Sequence, residues 1–155
     1  MMRLKPDDLG ALTNEDLFLA YSVSCHAGRF DTDPFSPDSI AEELVKRPRH
    51  GAFAAIFNAR VGWFDPRQVW KYSGEFQIKF FEQLLDKGQT NLGKACQLSK
   101  HDLLGQVETT GIMPYRWCYF QINLLGDPHT PVRVATGGPP AERPRAYDGG
   151  ATKLQ

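Results

Sequence analysis

Residues 16–24 read DLFLAYSVS, a nearly continuous apolar run bounded by Asn14 before it and Gly28 after it. Its length of about eight residues and its content of strand formers suit a strand. A strand apolar on both faces belongs in a parallel sheet covered by helices on either side. The run therefore reads as a central strand, and it leads directly into Cys25. In open parallel sheets, ligands bind beyond the carboxyl ends of the strands. That reading places a thiol where chemistry is done.

The segments on either side extend the pattern. Pro6-Asp7-Asp8, followed by Leu9, Ala11 and Leu12, predicts a short helical turn with proline and acids at its start. Residues 28–37 hold glycine, aspartates and prolines and read as a loop. Ser36-Pro37 reads as a helix start, with Ile40, Ala41, Leu44 and Val45 as the apolar stripe and Pro48 as the stop. GAFAAIFN, residues 51–58, is a second apolar strand, followed by a loop carrying Trp63, Phe64 and Trp70. Residues 73–86 predict a helix with Phe76, Phe80, Phe81, Leu84 and Leu85 on one face. Residues 91 to about 107 predict another, capped by Asn91, and WCYFQINLL, residues 117–125, reads as a third strand. Alternating strands and helices predict an α/β fold with a parallel sheet. Residues 1–134 form the folded part. The stretch 135–155, rich in Pro, Gly and charge without periodicity, reads as a disordered tail.

Composition narrows the function. The chain has 155 residues, enough for one domain, and 18 basic residues balance 18 acidic ones. No net field favours nucleic acid or an acidic membrane, and neither is expected as a partner. No apolar segment exceeds strand size, so no membrane span or signal peptide is expected. Cys25, Cys96 and Cys118 make neither a disulfide framework nor a zinc pattern, and no metal or cofactor is expected.

The order of several short motifs resembles the catalytic domain of the gingipain-type cysteine peptidases, which have a caspase-like fold. The apolar strand ending in Cys25 is followed by Ala27-Gly28-Arg29-Phe30, Ser39-Ile40-Ala41-Glu42, Gly51-Ala52 and Trp63. Asn91-Leu92-Gly93-Lys94-Ala95 and Leu125-Gly126-Asp127-Pro128 resemble the family's last helix and closing turn. The likeness runs from about residue 12 to about residue 134. It implies a partial caspase-like three-layer sandwich with a mostly parallel sheet. It also implies a cysteine endopeptidase acting by acyl transfer on peptide or protein substrates, at the cell surface or outside it. Cys25 would be the nucleophile, with its N–H in the oxyanion hole. Trp63 would line the pocket for the residue before the scissile bond, and His26 would sit at the pocket rim.

One departure stands against full activity. The family's general base is a histidine in a His-Gly motif upstream of the cysteine, and the 24 residues before Cys25 contain no histidine. The chain therefore reads as the C-terminal portion of such a domain, inactive alone and partnered by the upstream half. Among its own histidines, His26 neighbours Cys25 but points to the opposite face. His50 falls at the opposite end of the sheet, and His101 on a polar helix face. His129 follows the Gly126-Asp127-Pro128 turn at a carboxyl strand end, on the cysteine's side of the sheet. Two other readings stay open. One is a non-catalytic caspase-like module that binds a peptide or a partner chain. The other is a doubly wound binding domain, for which no glycine-rich phosphate loop follows the first strand.

Overall fold

The computed structural model describes residues 4–31, 37–47, 49–109 and 113–132. The proposed tail, residues 135–155, lies outside them, as do Ser36 and Pro48. Pro6–Ala11 forms a 3₁₀ turn, with the Lys5 N–H bonded to the Asp8 carboxylate. The first strand, β1, spans Phe18–Ser22 and ends three residues before Cys25, which opens a turn over residues 25–28. Helix α1 spans Ile40–Lys46. Its cap is Ser39 rather than Ser36: the Ser39 hydroxyl accepts from the Glu42 N–H, and the Glu42 carboxylate accepts from the Ser39 N–H. This reciprocal pair satisfies two donors that a helix start leaves free, which is why the helix begins there.

Strand β2, Ala52–Asn58, is the central strand and is buried at every position but Phe53. Helix α2 spans Ser73–Phe81 and runs on as a π turn over Glu82–Asp86. The second long helical prediction divides into α3, Leu92–His101, capped by Asn91 as expected, and α4, Leu104–Thr109. Helix α5 spans Met113–Gln121, and strand β3 follows it without a break over Ile122–Gly126.

The expected third strand is thus half helix. Tyr115, Cys118 and Gln121 of α5 are all buried, and their i, i+3, i+6 spacing is helical. β3 also runs antiparallel to β2, whereas β1 and β2 are parallel, so the sheet is mixed. The reason is where α5 ends. The Gln121 carbonyl accepts from the Ala59 N–H at 2.9 Å, at the carboxyl end of β2. A chain starting a strand from that point has only the return direction open to it. The strand order is β1-β2-β3, so the run that reads as central lies at an edge among the described residues.

The layers match the expected sandwich. On one face, Leu9, Ala41 and Leu44 pack with Ala52, Ala55 and Phe57 of β2. On the other, Ala54 and Ile56 pack with Phe76, Phe80, Leu84, Leu92, Ala95 and Tyr115. From Ala54 to Phe57 successive residues alternate between the faces, as a pleated strand requires; Ala52 departs from that alternation where the β1–β2 register shifts between Phe18 and Leu19. Leu85, read from its spacing as part of the helical stripe, is 55% exposed.

Candidate active site

The site lies beyond the carboxyl ends of β1 and β2. Cys25 is exposed, while Cys96 is partly buried and Cys118 fully buried. Burial pushes the Cys96 and Cys118 thiols up, so both resist ionisation. Of the three thiols, Cys25 is the exposed one.

The Cys25 turn is tied to the residues leaving β2. The His26 N–H donates to the Arg60 carbonyl at 2.8 Å, and the Gly28 N–H donates to the Asn58 carbonyl at 3.0 Å. A Cβ on Gly28 would stand 2.6 Å from the Phe57 Cβ, so only glycine allows this approach. His26 adopts a φ of 58°, in the left-handed region. Arg60 also donates to Asp31 through both terminal nitrogens, one of them at 2.8 Å. That hydrogen bond is the largest reason the Asp31 carboxyl is held down at about 2.

The Cys25 sulfur faces Gly62. The Gly62 N–H donates to Sγ at 3.2 Å, and the Gly62 carbonyl lies 3.7 Å from it. Both backbone polar groups of Gly62 thus lie at the sulfur. Among the described residues the Cys25 N–H bonds no acceptor, and no histidine hydrogen-bonds Sγ.

A groove of about 800 Å³ runs beside the thiol on the α1 side of the sheet. Lys5, Ser24, Cys25, His26, Ile40 and Phe57 contribute to its walls. Cys25 and His26 therefore share one groove, whereas adjacency on a strand predicted opposite faces; both lie in the turn past the end of β1, where strand alternation no longer applies. Trp63 is 36% exposed and is not among the residues lining it.

The other histidines are elsewhere. His50 Nδ1 lies 2.9 Å from the Asn14 carbonyl, at the amino end of β2, and His101 is exposed near the end of α3. His129 corrects an expectation. Because β3 is antiparallel, Gly126 pairs with Ala54 near the amino end of β2, so the turn holding His129 is at the end opposite Cys25. His129 pairs there with Asp127 at 3.6 Å.

A model of peptidase family C25 matches residues 2–133. The chain belongs to this family. C25 peptidases are the gingipain-family cysteine peptidases, and the layered α/β sandwich accords with their caspase-like fold. No curated protein and no solved structure matches the chain.

Sequence reasoning missed several residues that hold this C25 site together. Asn58, Ser73 and Gln121 are all buried polar side chains. Asn58 Nδ2 donates to the Val23 carbonyl at 2.8 Å, Ser73 Oγ accepts from the Trp63 N–H at 3.1 Å, and Gln121 Nε2 donates to the Val61 carbonyl at 2.7 Å. The only available signal was polar residues among apolar neighbours at strand and helix ends. Among the described residues, no group of three His, Cys, Asp or Glu side chains converges as a cation site.

Proposed function

We propose that this C25 chain carries the nucleophile of a cysteine endopeptidase, with Cys25 as the attacking group. The observation that carries the reading is the exposed Cys25 sulfur beyond the parallel strand ends, with the Gly62 N–H 3.2 Å away. In the reaction, the Cys25 thiolate attacks the scissile carbonyl carbon and forms a C–S bond. The negative oxygen of the tetrahedral intermediate lies against the Cys25 N–H. Collapse breaks the C–N bond as the amine takes a proton from the general acid. Water then cleaves the thioester, releasing the carboxylic acid and restoring the thiol. The Trp63 ring stacks on the side chain before the scissile bond, and His26 lines the groove rim.

The general acid and base is a histidine carried by an element that pairs with the outer edge of β1, which has no strand partner among the described residues. The chain alone therefore hydrolyses no peptide, because losing a triad member costs several orders of magnitude. A panel of quenched fluorescent peptides tests this, with Cys25→Ala as the blank and iodoacetamide labelling read by mass spectrometry. We expect labelling at Cys25 without turnover. Turnover abolished in Cys25→Ala would keep the nucleophile and discard the external base. A Cys25 that resists labelling in the folded chain would discard the nucleophile.

A second reading, a non-catalytic module that binds a peptide or partner chain, is favoured because no histidine among the described residues hydrogen-bonds the thiol. It requires peptide affinity that Cys25→Ala leaves unchanged, with no turnover when the histidine-bearing element is supplied.

A further inference from the structure

We propose that Asn58 is a positioning residue for the Cys25 sulfur, working with Ser73 to hold the Gly62 N–H against it. The proposal rests on the reading of Cys25 as a nucleophile, and it concerns how that thiol is made reactive rather than what it cleaves.

Residues 59–63 leave the sheet as a loop, and a loop this close to a reacting atom needs fixing points. The Asn58 side chain is fully buried and bonds to a chain segment 35 positions away in sequence. Its Nδ2 donates to the Val23 carbonyl at 2.8 Å, two residues before Cys25, and also reaches Ser73 Oγ at 3.5 Å. Ser73 Oγ in turn accepts from the Trp63 N–H, and the Ser73 N–H donates to the Trp63 carbonyl at 3.1 Å. One carboxamide thus spans the strand that carries the thiol and the clamp that holds the residue after Gly62. Its orientation is dictated by Val23: a carbonyl demands the amide nitrogen, so Oδ1 is left buried without a partner among the described residues. A buried orphan acceptor costs stability. It marks a side chain retained for placement.

Gly62 fits the same account. A Cβ there would lie 2.2 Å from the Val23 oxygen and 2.8 Å from Asn58 Nδ2. The side chain of Asn58, the backbone of Val23 and the backbone of Gly62 meet in one contact. Whatever moves Asn58 moves the donor to sulfur.

The test uses the whole chain and reads the alkylation rate of Cys25 by iodoacetamide against pH, a measurement that needs no turnover. The ionisable groups around the thiol are Lys5 and His26 on the groove and the Arg60–Asp31 pair behind the turn, and all are left in place. Asn58→Ala is expected to slow Cys25 labelling at neutral pH by roughly two- to tenfold, the span of one lost hydrogen bond. Cys118, buried in the core, should stay unlabelled and so report an intact fold. An unchanged Cys25 profile with Cys118 protected overturns the proposal. If Asn58→Ala exposes Cys118, Ser73→Ala decides: the same slowing at neutral pH supports the proposal, and a wild-type profile overturns it. Failure of peptide cleavage alone bears on the peptidase reading and leaves this result standing.

Discussion

A Cβ built on Gly62 would stand 2.2 Å from the carbonyl oxygen of Val23, so two backbones touch directly beneath the Cys25 thiol. A methyl cannot be accommodated there without parting the loop from the strand end. Gly62→Ala is therefore expected to cost about 1–3 kcal/mol in urea denaturation. Gly10, around which no atom lies within 4 Å of a built Cβ, is the control. Gly10→Ala should change stability by no more than about 1 kcal/mol. Equal effects at the two positions would show that the contact yields.

Phe80 is fully buried beneath the sheet, in ring contact with Tyr21 at 5.4 Å and Phe81 at 5.2 Å. Phe80→Ala should cost about 3–5 kcal/mol, enough to unfold much of a marginally stable domain. Leu85 belongs to the same predicted stripe but is exposed, and Leu85→Ala should stay within about 0.5 kcal/mol. Thermal unfolding of the two variants separates burial from periodicity.

Asp31 should titrate at about 2 in carbon-detected NMR, chiefly because Arg60 hydrogen-bonds its carboxylate. The folded value lies below the ordinary one of 3.8, so the pair's contribution to stability is fully present above about pH 4. It is lost as pH falls from there through about 2. Arg60→Ala should return Asp31 to the usual carboxylate range. A carboxyl that titrates normally in the wild type would break the pair.

His26 holds a φ of 58°, a conformation that costs a residue with a Cβ but not glycine. His26→Gly should match the wild type's stability within about 1 kcal/mol, whereas His26→Val should lose about 1–2 kcal/mol because β-branched residues tolerate this region worst. If valine proves as stable as histidine in differential scanning calorimetry, the turn at residues 25–28 relaxes.

Much of this was legible in the residues themselves. Continuous apolar runs marked β1 and β2, and period 3.6 placed Phe76, Phe80 and Leu84 on a buried face, as they are. Asn91 was visible as a cap, and the motif order pointed to the C25 family and to Cys25. Such signals are local: each depends on residues within a few positions of one another. The thiol at the end of an apolar strand is a reading of this kind, and the structure keeps Cys25 just past β1, exposed.

Tertiary structure alone decided what that thiol faces. Periodicity reports that a face is apolar, not which strand it lies beside or in which direction. Hence β3 turned antiparallel, β1 came to an edge, and His129 went to the far end of the sheet. Hydrogen bonds between distant segments leave no pattern in sequence either. A buried Asn58 reading Val23, a Ser73 holding Trp63 and a Gln121 holding Val61 look like any polar residues beside a loop. Their partners lie 10 to 60 positions away, and only the closed chain brings them together under Cys25.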